Sequence, residues 1–124
     1  MKRGEIWLVS LDPTLGAEIQ KTRPALIVSD DELGILPLRV IVPITDWKTH
    51  YTGTPWLLEI APNTNNGLSK PSAADCFQVR SVSTTRFVRR LGTVDEFSLS
   101  DIENALAKVL HIQASGNISS GFSA

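Results

Sequence analysis

Apolar residues in this chain come in short bursts, each broken by prolines and polar turns, which is the rhythm of strands. Residues 5–11, Glu-Ile-Trp-Leu-Val-Ser-Leu, are rich in strand formers. Asp12-Pro13-Thr14 ends that run, because proline cannot donate to a central ladder. After a polar loop, Pro24 opens a second strand, Ala25-Leu26-Ile27-Val28. Residues 38–44 predict a third, and Pro43 places it at an edge or a bulge. Residues 56–60, 72–79 and 91–94 predict three more. Pro62-Asn63-Thr64-Asn65-Asn66-Gly67 is dense in turn formers.

One segment keeps a helical period. Ile102, Ala105, Leu106, Val109 and Leu110 share one face and predict a helix from about Asp101 to His111. Ser100 and Glu103 have the spacing of a capping box at its start. The apolar stripe must bury against the sheet or a second chain. The expected fold is mainly β with a C-terminal helix, a small β-barrel or sandwich. Residues 1–112 form the single domain, and 113–124 read as a flexible tail.

Composition narrows the classes. A chain of 124 residues supports one domain and one modest core. No apolar run approaches bilayer length, and no signal peptide is evident, so a cytoplasmic location without membrane association is expected. The single cysteine, Cys76, excludes an internal disulfide and a Cys-based metal cluster. It reads as a small buried hydrophobe. A net charge of −1 argues against a general coat for DNA. The window from Arg80 to Arg90 nevertheless holds Arg80, Arg86, Arg89 and Arg90 without an acid, either a nucleic-acid face or a solvated surface.

The chemistry is sparse. No histidine, cysteine and carboxylate spacing suits a metal, and no phosphate-binding glycine loop or nucleophile elbow occurs, so no cofactor is expected. His111 ends the helix, where its charge suits the dipole. His50, in a polar loop, is open to facing a ligand, and Lys21 sits in the long loop between Asp12 and Arg23. Arg23, where that loop re-enters the sheet, has the planar fork for a phosphate or for an acid. Thr45 ends the third strand and has a hydroxyl for a phosphate oxygen or for a turn. Gln78 and Arg80 alternate in a strand-like segment and so share a face.

Met1-Lys2-Arg3-Gly4-Glu5-Ile6-Trp7-Leu8-Val9-Ser10-Leu11-Asp12-Pro13-Thr14, with Gly16-Ala17-Glu18, Thr22-Arg23-Pro24, Pro43-Ile44-Thr45 and Gln78-Val79-Arg80, resembles the MazF/PemK family of toxins from toxin–antitoxin pairs. The resemblance spans about residues 2–112. It implies an SH3-like barrel, a homodimer and a groove for single-stranded RNA. It implies metal-free cleavage by the ribose 2′-hydroxyl, leaving a 2′,3′-cyclic phosphate and a 5′-hydroxyl. By position Arg23 and Thr45 match the catalytic pair, and Glu18 in the loop is an alternative proton acceptor. Gln78 and Arg80 match RNA-contacting positions, to which Lys21, His50 and Arg86 are added as candidate contacts. A cognate antitoxin is implied as inhibitor, laid along the RNA groove.

One departure matters. Some members carry Arg-x-Asp just before Gln-x-Arg and use that pair as acid and base. Here those places hold Asp75 and Phe77, and Phe77 cannot transfer a proton. Phe77 can pack in the core or stack on a base, and packing is the expected role. The competing function is a gyrase poison of the CcdB type, which shares the barrel and cleaves nothing. The Thr-Arg-Pro step and Thr45 favour the nuclease.

Overall fold

The computed structural model describes residues 1–113. The tail expected over 113–124 therefore lies outside the described residues, save Gln113. Seven strands precede one helix: β1 (Glu5–Ser10), β2 (Thr22–Ile27), β3 (Leu38–Asp46), β4 (Leu57–Ile60), β5 (Ser72–Asp75), β6 (Arg80–Ser83), β7 (Phe87–Thr93) and α1 (Glu96–Val109). They run β4-β5-β3-β2-β1-β7 in one sheet, with β6 on β3. Every pairing is antiparallel. The architecture is the expected mainly β one with a C-terminal helix, although the sheet is not closed into a ring.

β3 organises the sheet. On one side it pairs with β2. On the other it pairs first with β6, over Leu38–Ile41, and then with β5, over Ile44–Asp46. Pro43 falls where the strand changes partner, so no neighbour on that side needs its missing N–H. This central strand thus tolerates a proline that suggested an edge.

Alternation sends neighbouring residues of the same strands into two cores. Ile6, Leu26, Val42 and Ile44 meet Ile102 and Ala105 of α1 on one face. Val9, Ala25, Ile27 and Ile41 meet Val82 on the other, with Trp7 and Phe87 packed edge-to-face at 5.7 Å beside them.

Several boundaries differ from the sequence reading. α1 begins at Glu96, capped by Asp95, whose carboxylate accepts from the Ser98 N–H at 2.7 Å. Ser100 therefore lies inside the helix and caps nothing, and Glu103 pairs with Arg3. The apolar stripe concealed the first turn because Phe97 points out, 83% exposed. The strand expected over 72–79 stops at Asp75, where a 3-10 turn, Cys76–Gln78, is fixed by the Asp75 carboxylate accepting from the Phe77 N–H at 3.1 Å. β6 was not foreseen, and β7 starts at Phe87 rather than Leu91. β2 starts two residues before Pro24.

Candidate functional site

The register of β2 on β3, Ala25 opposite Pro43, brings Arg23 opposite Thr45 when carried two residues further. Both side chains line a cavity of about 330 Å³, together with Asp46, Lys70 and Arg89. Arg23 reaches it from β2, Thr45 and Asp46 from the end of β3, and Arg89 from β7. Lys70 comes from the loop after β4.

That loop is built tightly. The buried Asn66 accepts from the N–H groups of Asn63 at 3.1 Å and Leu68 at 3.0 Å, and donates to the Ala61 carbonyl at 2.9 Å. Gly67 has φ +70°, and a Cβ there would stand 2.1 Å from the Leu91 carbonyl oxygen. Only glycine lets the loop lie on β7 and carry Lys70 to the cavity.

Electrostatics favour an anion here. Arg23, Lys70 and Arg89 face Asp46, the only carboxylate of the lining. Lys70 pairs with Asp46 at 3.0 Å. That hydrogen bond, then the charges of Lys70, Arg23 and Lys48, hold the Asp46 carboxyl below the usual aspartate value despite some desolvation. The Nε of Arg23 is buried and makes no hydrogen bond.

A second cavity, about 430 Å³, lies across Pro43 and is lined by Glu18, Ile19, Phe77, Gln78 and Arg80 among others. Its polar groups are largely committed. Glu18 accepts from the Leu15 N–H at 2.7 Å. Gln78 accepts from the Ile19 N–H at 2.6 Å and donates to the Ala17 carbonyl at 3.1 Å. Arg80 donates to the Leu11 carbonyl at 3.2 Å. Arg86 donates to the Ser10 carbonyl at 3.1 Å and to that of Asp12. Lys21, at φ +70°, accepts from the Leu11 N–H at 2.9 Å. These bonds fasten both ends of the loop between β1 and β2.

The structure thus joins Arg23 with Thr45 in one cavity, and Glu18 with Gln78 and Arg80 in another. Lys21, His50 and Arg86 line neither. His50 lies in a 3-10 turn with its ring against Tyr51, centroids 4.7 Å apart. Gln78 and Arg80 do not share a strand face, since Gln78 ends a 3-10 turn and Arg80 begins β6. The arginine window is not one surface either: Arg80 and Arg86 bond to backbone, Arg90 pairs with Glu5 at 3.4 Å, and Arg89 enters the first cavity. Phe77 is 66% exposed instead of packed in the core.

Asp46 and Lys70 line the cavity beyond the residues the sequence suggested, and Arg89 is the one member of the arginine window that does. Asp46 adjoins Thr45 in sequence, whereas Lys70 arrives through long-range packing that no local pattern announces. Cys76 is fully buried, and desolvation, with the charge of Asp75, pushes its thiol up to about 12. It is inert as a nucleophile. Among the described residues no three His, Cys, Asp or Glu side chains gather to hold a metal ion, and no helix is long and apolar enough to cross a membrane.

Residues 2–110 match the family described as PemK-like, MazF-like toxin of type II toxin–antitoxin system. The chain is 35% identical over 112 residues to the endoribonuclease MazF9 of Mycobacterium tuberculosis, covering 86% of this chain and 92% of that protein. It is 34% identical over 112 residues to the endoribonuclease PemK of Escherichia coli, covering 89% and 82%. Among solved structures it resembles MazF from Deinococcus radiodurans, with TM-score 0.74 at 22% identity over 90% of this chain and 97% of that one. A mycobacterial endoribonuclease solved in complex with its cognate antitoxin gives TM-score 0.72 at 19% identity over 92% and 98%.

Proposed function

The chain belongs to the PemK-like, MazF-like toxins of type II toxin–antitoxin systems, and on that premise we propose that it is an endoribonuclease that cuts single-stranded RNA at the cavity of Arg23 and Thr45. The observation that carries this reading is the meeting of Arg23 and Thr45 on one cavity with the cationic side chains of Lys70 and Arg89. A phosphodiester supplies negative charge that complements these cations.

The nucleophile comes from the substrate. The 2′-oxygen attacks the adjacent phosphorus and loses its proton, while the bond from phosphorus to the 5′-oxygen breaks and that oxygen gains one. The products are a 2′,3′-cyclic phosphate and a 5′-hydroxyl. Arg23 neutralises charge growing on the phosphoryl oxygens, and Thr45 donates a hydrogen bond to one of them. The step needs no metal ion, and DNA offers no 2′-hydroxyl to attack.

The 2′-hydroxyl proton needs an acceptor. Arginine is a poor one, since its pKa exceeds about 12. Glu18, the acceptor suggested by position, lines the second cavity and is bonded to Leu15. Asp46 shares the cavity of Arg23 and Thr45 and is ionised well below neutrality. That observation favours Asp46. The working form is a homodimer that binds RNA and is neutralised by a cognate antitoxin, a partner type recorded for one of its structural neighbours.

The deciding experiment is incubation of the purified protein with a long single-stranded RNA in EDTA, beside Arg23→Ala. Discrete fragments with 5′-hydroxyl ends, absent with the variant, are expected. A folded wild-type protein that leaves the RNA whole would overturn the proposal, and a gyrase supercoiling assay would then test the gyrase-poison reading.

A further inference from the structure

Trp56 and Phe77 form an edge-to-face pair, centroids 6.1 Å apart and planes at 67°. Neither ring is buried: Phe77 is 66% exposed and Trp56 42%. Their exposure is not fraying. The Trp56 carbonyl accepts from the Cys76 N–H at 2.9 Å, and Cys76 is fully buried. The Phe77 N–H is held by Asp75, and Gln78 beside it is bonded to the loop at Ala17 and Ile19. Two large apolar side chains are thus kept in water by a rigid backbone.

Their surroundings say what would cover them. Phe77 lines the same cavity as Arg80 and Pro43. The next residue of β3, Ile44, lines the cavity of Arg23, Lys70 and Arg89. A flat aromatic surface on a cavity that also holds the Arg80 guanidinium matches a nucleotide, whose base stacks on the rings. Two rings alone offer far less than the roughly 800 Å² per partner of a stable protein interface.

We propose that Trp56 and Phe77 are a stacking platform for an unpaired base of the RNA strand. The platform rests on the endoribonuclease reading. It supplies affinity and fixes where the strand lies, and it tolerates any base, because every base has a π-face. It receives no proton and touches no reacting atom.

The test uses the full chain and a fluorescein-labelled, random-sequence RNA of twelve nucleotides with every 2′-hydroxyl methylated, so that binding is read without cutting. Phe77→Ala is expected to weaken binding about tenfold or more, and Phe77→Trp to restore it to within about threefold. Because the ring is exposed, Phe77→Ala should melt like the wild type. RNA should quench tryptophan fluorescence in the wild type, and Trp56→Phe should bind normally but lose most of that quench. Equal affinity of Phe77→Ala and wild type would overturn the platform while leaving the enzyme reading intact. So would a Phe77→Ala protein whose mass in solution falls as its affinity falls, since the rings would then be a contact between copies. A wild-type protein that neither binds this probe nor cuts ordinary RNA would overturn both readings together.

Discussion

The side-chain amide of Gln78 accepts a hydrogen bond from the backbone N–H of Ile19 at 2.6 Å, across 59 residues of sequence. The other end of the same amide donates to the Ala17 carbonyl at 3.1 Å and to Asp75 at 3.3 Å. Glu18 sits between the two backbone anchors. Gln78 therefore clamps the loop between β1 and β2, and its amide is not free to read a base.

Gln78→Leu keeps the bulk of the side chain and removes both anchors. Each lost hydrogen bond is worth about 0.5–1.5 kcal/mol, so stability should fall by about 1–2 kcal/mol. Cleavage should fall about tenfold as the loop loosens. Faster amide exchange at Ala17–Ile19, with core amides unchanged, would tie the loss to the loop. Unchanged exchange there would show that the clamp holds nothing.

How legible was this in the sequence? Local patterns located β1, β3 and β4 well, because their apolar runs end at prolines and polar turns. They failed where a polar residue set the boundary. Asp95 and Asp75 each trade a strand or loop for a turn by capping one N–H, and hydrophobic period is blind to that. At the site, Arg23 and Thr45 were legible through family resemblance, and the register of β2 on β3 explains their union. Gln78, Arg80 and Arg86 were read as free polar groups, but each bonds to a backbone segment distant in sequence. Core packing is the usual place of an apolar residue, and sequence cannot show that the 3-10 turn Cys76–Gln78 faces Phe77 outward.

The two carboxylates near the site make different predictions. If Asp46 accepts the 2′-hydroxyl proton, Asp46→Asn should lower the cleavage rate about a hundredfold or more, and Glu18→Gln less than fivefold. The pH profile carries the same information. The Asp46 carboxyl lies below the ordinary aspartate value because Lys70 donates to it, so it stays ionised until the medium is quite acidic. The acid limb of cleavage should lie at more acidic pH than an ordinary aspartate would give, and Lys70→Gln should move it upward. A limb that follows Glu18→Gln instead would return the role to the loop.

The helix should be essential to stability and neutral to chemistry. Ile102 is 1% exposed and packs with Ile6, Leu26 and Val42. Ile102→Ala should cost about 2–4 kcal/mol by denaturant melting. Phe97→Ala, one turn earlier and 83% exposed, should cost less than about 0.5 kcal/mol. The folded fraction of either variant should cut RNA at the wild-type rate. A large loss at Phe97 would mean that its face is covered in the working assembly.

Glu5 should set the acid stability. Burial alone would raise its carboxyl, but the Trp7 indole N–H at 2.9 Å, the Lys2 N–H at 3.0 Å and the Met1 ammonium at 3.4 Å together outweigh that and bring it from 4.5 down to about 2. Arg90 adds a pairing at 3.4 Å. A carboxyl depressed on folding binds its proton more readily in the unfolded chain, so its stabilisation is complete above about pH 4.5 and is lost as pH falls toward 2. Glu5→Gln removes that dependence: stability should drop by about 1–2 kcal/mol at pH 7 and approach the wild type near pH 2. Parallel melting curves from pH 7 to 2 check it. A constant gap between the two proteins over that range would mean that the Glu5 charge contributes nothing and that only its shape does.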